Sequence, residues 1–202
     1  VSYGLSKTIL KGVPSSFTLE LPPYRVPKIG RVLYTSIIDR TIFVLLRAVL
    51  VAIPAGIITW IFANIYIGDL SILSHVAGFL DPFAKLIGLD GFILMAFLLG
   101  IPANEIVLPI LIMAYLSTGA MIEFESLETL RTILLNNGWT YLTALNVMLF
   151  SLLHWPCATT LLTIKKETGS IKWTLLAALL PTGIAIVLCF ITTLIFRLFG
   201  WA

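Results

Sequence analysis

The chain has 202 residues, of which 59% are apolar and 11% charged, with a net charge of +3 and a mean hydropathy of +1.04. Soluble domains carry about 25% charged and 45–50% apolar residues, and a water-soluble fold of this length has too little interior to hide so much apolar surface. Composition thus excludes an ordinary soluble domain and calls for a bilayer as solvent, which requires apolar runs of about 20 residues.

Residues 1–30 are polar, Pro-rich and basic, carry no signal-peptide pattern, and read as a cytoplasmic linker. The chain begins at Val1 rather than Met, which suggests a piece of something longer. Residues 31–202 read as the membrane domain. RVLYTSIIDRTIFVLLR over 31–47 predicts an amphipathic lead-in helix, with Asp39, Arg40 and Arg47 at the cytoplasmic interface. Residues 48–67 contain no charge and predict the first span. Residues 70–88 are too short and interrupted to span, and predict an interfacial or re-entrant hairpin broken at Asp81-Pro82. Residues 91–117 hold a single charge, Glu105, and predict a broken span. Residues 138–164 hold only His154 among titratable groups prone to charge, and residues 173–196 hold no charge; both predict spans. No period-two barrel pattern occurs. The fold class is all-α: a polytopic helical membrane domain with a broken or re-entrant helix near residues 100–109.

Short basic loops stay in the cytoplasm. That rule places residues 1–47 and the 165–172 loop, with Lys165, Lys166 and Lys172, inside, and the loops 68–90 and 118–137 outside. The pI near 9.0 is on this reading a topological signal, with no nucleic-acid partner implied. The parity leaves the 91–117 run starting and ending on the same side, which a re-entrant hairpin, or a partner crossing made by residues 70–88, satisfies. The stretch IPANEIVLP at 101–109 supplies its break. Pro102 and Pro109 each remove a backbone donor and clash with the preceding turn, and Gly100 permits unusual dihedrals. Backbone of that kind survives at membrane depth only inside protein or beside a wet cavity, and broken helices are typical substrate sites of transporters.

Glu105 is the first candidate for chemistry, because a carboxylate in a bilayer is costly and faces a cavity or a partner. It could ligate a cation, relay a proton, or pair with Arg47. Asn104 beside it would make two hard oxygen donors at one break. His154 and Cys157 form the second candidate: a spacing of three puts them on one helix face, and imidazole with thiolate suits iron or zinc better than magnesium or calcium. The alternatives are a histidine packed among aromatics and a cysteine serving as a small apolar residue. Cys189 and the scattered methionines read as packing residues, His75 as a solvated loop histidine, and Trp139, Tyr141, Trp173 and Trp201 as an aromatic belt. GLSKT at 4–8 lacks the glycine framework of a phosphate-binding loop, and no hydrolase motif occurs. The chain is therefore not read as an enzyme.

Several stretches together resemble the C-terminal half of the membrane domain of the ferrous-iron transport protein B (FeoB) family: LSKTILKG, LELPPYRVPKIG at 19–30, IPANEIVLP at 101–109, and HWPCATTLLTIKKETGSIKW at 154–173. The resemblance implies a bacterial or archaeal inner-membrane Fe²⁺ importer. Its partners would be a small GTPase domain and a first gate half supplied elsewhere, with homo-oligomers also in keeping. No resident cofactor is implied; Fe²⁺ is the transported substrate. The Ala-Asn-Glu stretch matches the second gate motif, and Cys157 matches a family cysteine proposed to lie on the iron path. The expected metal contacts are thus Cys157, Glu105, Asn104 and His154. Gate motifs also occur in nucleoside-transport-related and spore-maturation proteins. The alternatives are a gate-domain carrier of another solute, nucleoside or proton-coupled, and a non-transporting scaffold half of a split complex.

Overall fold

The computed structural model describes residues 30, 34, 36–120 and 126–200. The chain divides into two units, 1–40 and 41–202. The 1–30 linker lies outside the described residues but for Gly30, as does much of the 31–47 segment, where Ser36–Ile42 is π-helical. The second unit holds the helices α1 (Phe43–Asn64), α2 (Ile72–Leu86), α3 (Gly91–Leu99), α4 (Val107–Leu116), α5 (Leu127–Asn136), α6 (Tyr141–Leu153), α7 (Ala158–Thr168) and α8 (Ile171–Leu198). A two-residue hairpin, Tyr66–Ile67 against Leu70–Ser71, joins α1 to α2.

Lengths sort these helices. At 1.5 Å per residue, α1 with 22 residues and α8 with 28 rise about 33 and 42 Å, enough to cross a hydrocarbon core of about 30 Å. Helices α6 and α7 together make a third crossing, Tyr141–Thr168. Helices α3 and α4, with 9 and 10 residues, rise only about 13.5 and 15 Å, half a membrane each.

Hydrogen bonds between loops show which ends coincide. Asn64 at the end of α1 donates to the Gly119 carbonyl, 2.9 Å away. Tyr115 at the end of α4 donates to Asp90 at the start of α3, and the Trp139 indole N–H donates to the Tyr115 hydroxyl at 3.0 Å. Arg197 at the end of α8 donates to the Lys85 carbonyl at 2.8 Å. All these groups share one end of the bundle, where Asp69, Asp81, Asp90 and Glu128 also lie; we call it the acidic end. The other end carries Lys165, Lys166 and Lys172. Helices α3 and α4 therefore leave the acidic end and return to it, as a re-entrant hairpin, one of the two arrangements that parity allowed. Helix α2 starts and finishes at the acidic end and meets α3 at 110°. It buries Leu73, Ala77 and Ala84 and exposes Phe79 and Phe83, as an interfacial helix does.

Three details depart from the sequence reading. Helix α2 runs through Pro82, and the bend falls at 87–90 instead of at Asp81-Pro82. The carbonyl that Pro82 leaves free belongs to Gly78, an exposed residue, so the loss costs little there. The 138–164 span is interrupted at 154–157, where Pro156 stands between helices. Within 118–137, residues 127–136 form α5, started by Ser126, whose hydroxyl accepts the Thr129 N–H at 3.3 Å.

The two interruptions meet. The Ala158 N–H, first in α7, donates to the Ile101 carbonyl, just past α3, at 2.8 Å. The core around this junction comprises Ile93, Phe97, Ile110, Leu111 and Phe150, each at most 2% exposed.

Two outcomes follow. Cysteines replacing Asn137 and Phe199 will react with a membrane-impermeant maleimide from one side, and one replacing Thr168 only from the other. Ala158→Pro isolates the junction bond, because proline suits the first position of a helix and the preceding Cys157, at φ −59 and ψ 156, already has the backbone proline demands. Detergent-solubilised protein carrying it will lose about 1 kcal/mol in unfolding measurements with helix content unchanged.

Candidate functional site

Chain order builds the site from α3 inward. Asp90 caps α3 by accepting the Ile93 N–H at 2.7 Å. The helix ends at Gly100, whose φ of −77 is ordinary. Glycine is needed there for space: an added Cβ would collide with the Val107 side chain and lie 3.0 Å from the Ala96 carbonyl. The Ala103 N–H closes a turn onto the Gly100 carbonyl at 3.1 Å, and Asn104–Ile106 forms a single 3-10 turn before α4. Pro102 sits in the break, whereas Pro109 is the third residue of α4, where its missing N–H would have had no partner in any case.

Asn104 and Glu105 project from this turn into a cavity of about 470 Å³, lined also by Ile93, Phe97, Trp139 and Ser151. Both are exposed in the isolated chain. Among the described residues neither side chain has a hydrogen-bonding or ionic partner; the Arg47 side chain, the pairing partner considered for Glu105, lies outside them. The cavity therefore offers a carboxylate, an amide oxygen and a hydroxyl among apolar walls, all hard oxygen donors suited to a cation that has shed part of its water.

The second candidate is arranged otherwise than the spacing of three suggested. His154 terminates α6, Cys157 precedes α7, and the backbone between is not helical, so they do not share a helix face. His154 is 7% exposed and caged by Phe97, Phe150 and Trp155, at centroid distances of 5.0, 5.9 and 5.6 Å. Its Nδ1 lies 3.1 Å from the Phe150 carbonyl and 2.9 Å from that of Ser151. Carbonyls only accept, so Nδ1 carries a hydrogen. Its Nε2 is buried and without a partner among the described residues, as is the Trp155 indole nitrogen. Phe97 contacts the ring and also lines the cavity, standing between His154 and the Asn104–Glu105 pair.

The Cys157 Sγ lies 3.1 Å from the hydroxyls of both Thr159 and Thr160. Those threonines line a separate groove of about 320 Å³ with Val44, Ala48 and Thr163. Asn104 and Glu105 thus share one cavity, while His154 and Cys157 flank it without joining its lining. Among the described residues no three His, Cys, Asp or Glu side chains converge as a metal-binding cluster. His75 is exposed on α2 and held by its own turn, 3.1 Å from the Ser71 carbonyl.

The sequence reading passed over Asn146. It is fully buried in α6, donates to the Ile87 carbonyl and to Thr193 at 2.9 Å each, and accepts from Thr192. Cys189, buried as expected, donates to the Asn146 carbonyl at 3.5 Å. Gly88, at φ +67, leaves the room: a Cβ there would strike Asn146 and Thr193. The only signal was an amide in the charge-free run 138–164, which a capping or surface role explains equally well.

Comparison with known proteins agrees with this architecture. Residues 45–171 match the Gate family, described as nucleoside recognition, and residues 1–39 match the C terminus of ferrous iron transport protein B. The "Fe(2+) transporter FeoB" of Staphylococcus aureus strain MSSA476 is 32% identical over 208 residues, covering 98% of this chain and 30% of the relative. Those of Leptospira biflexa and Methanocaldococcus jannaschii are each 29% identical, covering 96% and 94% of this chain and 30% of each relative. No solved structure matches the chain. The chain spans about 30% of the length of these curated relatives. The match over 45–171, with three helices among the described residues long and apolar enough to cross a membrane, places the chain in the Gate family, as a multi-pass membrane domain of the FeoB family.

Proposed function

We propose that the chain forms one half of a transmembrane path for Fe²⁺, with GTPase control and the other gate half supplied by the rest of the parent protein. The relatives' name, Fe(2+) transporter, suggests the substrate. The observation that carries the reading is Asn104 and Glu105 set at a mid-membrane helix break, in a cavity of about 470 Å³, unpaired among the described residues. A carboxylate and free backbone cannot face hydrocarbon at that depth. The open side of the cavity is therefore covered by protein, and the first gate half is the natural cover.

The lysine-rich end faces the cytoplasm on the positive-inside rule. A cation arriving at the acidic end exchanges part of its hydration for the Glu105 carboxylate, the Asn104 amide oxygen and the Ser151 hydroxyl. Beyond the break it meets Cys157, at the start of α7, with His154 beside the route. Sulfur and imidazole ligands favour Fe²⁺ over Mg²⁺ and Ca²⁺, so selection follows dehydration along the path. A second reading, a carrier of nucleosides, is favoured by the description of the matching family.

The test is ⁵⁵Fe²⁺ uptake by an iron-import-deficient bacterium carrying the intact parent operon. Glu105→Gln and Cys157→Ser, at normal expression, will each lower uptake roughly tenfold or more, as loss of a charged or ligating partner implies. Full uptake in both variants would sink the site assignment. Nucleoside uptake that is indifferent to iron would establish the second reading in its place.

A further inference from the structure

Trp139 lines two spaces. On its outer side, a groove of about 390 Å³ at the acidic end is lined by Leu130, Arg131, Leu134 and Thr140 along with the indole. On its inner side, the same residue lines the cavity holding Asn104 and Glu105. Among the described residues lining these two spaces, Trp139 is the one they share.

The indole is held by a chain of side chains. Its N–H donates to the Tyr115 hydroxyl at 3.0 Å, and that hydroxyl donates to Asp90 Oδ2. The other Asp90 oxygen is fixed by the Ile93 N–H at 2.7 Å. The Tyr115 ring packs edge-on against Phe92 at 5.7 Å. The anchor is thus the first turn of α3, one arm of the re-entrant hairpin. The backbone on the other side is a hydrogen-bonded turn, in which the Gly138 N–H donates to the Leu135 carbonyl at 3.0 Å and the Trp139 N–H to the Leu134 carbonyl at 3.1 Å. Gly138, at φ +80 with open space around it, precedes Trp139, and α5 before it buries none of its residues.

From these contacts we infer that the Trp139 indole closes the water-borne route from the acidic end to the Asn104–Glu105 cavity, and that Tyr115 and Asp90 are positioning residues holding it closed. The sideways opening of that cavity faces hydrocarbon or the opposite half, and Trp139 is the residue the cavity shares with the acidic-end groove, so a divalent ion entering through this half passes the indole. Opening requires the loss of the indole's hydrogen bond and of its packing against the apolar core. The inference rests on the proposed cation path, but its test does not use iron.

In the full parent protein, a cysteine is placed at position 105 (Glu105→Cys), and its labelling by a membrane-impermeant cationic methanethiosulfonate applied at the acidic side is followed over time, corrected for the protein without it. Trp139→Phe, which keeps a ring and loses the N–H, and Tyr115→Phe, which removes the acceptor, will each speed labelling roughly two- to tenfold, the factor carried by one neutral hydrogen bond. The buried Cys189, 0% exposed, will remain unlabelled. An unchanged rate in both variants overturns the inference. So does a rise matched at Cys189, because that is general loosening of the fold. Either result leaves the iron reading to be judged by uptake alone.

Discussion

The structure depends on one constraint: backbone polar groups in hydrocarbon must find partners within the protein. Two segments of this chain give up helical pairing at mid-membrane depth, 100–106 and 154–157. They are tolerable because they meet. The Ala158 N–H reaches the Ile101 carbonyl at 2.8 Å, supplying a donor to one break and an acceptor to the other. Proline placement follows the same logic. Pro102 and Pro156 occupy the breaks themselves, where an N–H would have been one more group to satisfy. Because both breaks lie at one depth, the polar side chains they carry come near that depth too, surrounded by an apolar core.

A hairpin that enters only halfway must be held from the end it leaves, since no far loop anchors it. The acidic end supplies that hold. Asp90 caps α3 and accepts from Tyr115 on α4, so the two arms are clamped where they emerge. Asn146 then joins the turn at Ile87, α6 and α8 through a fully buried network. Interhelical hydrogen bonds in membranes contribute only about 0.6 kcal/mol each on average. Their directional demands matter more than their sum here, since a buried amide with its carbonyl and hydroxyl partners fits one register and is left unsatisfied in any other. Gly88 shows how tight that register is, because a single added carbon would displace both Asn146 and Thr193.

Much of this was legible in the sequence. Charge-free runs located α1, α6 and α8, and the distribution of lysines and carboxylates required a segment that returns to its own side, which α3 and α4 provide. Glu105 stood out because a lone carboxylate in an apolar run contradicts its surroundings, and it lies in the 3-10 turn at the break between α3 and α4. What escaped was decided by tertiary contact. Pro82 looked like a break but lies where its freed carbonyl is exposed, so α2 continues. The 138–164 run looked like one span, yet the partner that permits its break, Ile101, lies 57 residues from Ala158 in sequence. That break removed the helical spacing on which a shared face for His154 and Cys157 depended. Asn146 gave only an ambiguous signal, since an amide in an apolar run reads alike whether it caps, faces a cavity or locks a core.

The separation of the candidate ligands fits the task of conduction. Three or four ligands converging on one ion would bind tightly and release slowly, whereas passage needs sites that are favourable enough to enter and weak enough to leave. Among the described residues the chain gathers no such cluster. It offers instead a pair of hard oxygens at one break, and a thiol beside two hydroxyls at the start of the next helix. On the proposed path each station is incomplete, and an ion keeps part of its water or borrows ligands from the opposite half. The His154 ring lies beside the break among Phe97, Phe150 and Trp155, outside the cavity lining. Its Nδ1 is tied to the Ser151 carbonyl, Ser151 lines the cavity, and its own helix ends where Cys157's begins. A shift in the 154–157 segment would therefore move the cavity wall and the thiol together, coupling the two stations through backbone that is already free of helical restraint.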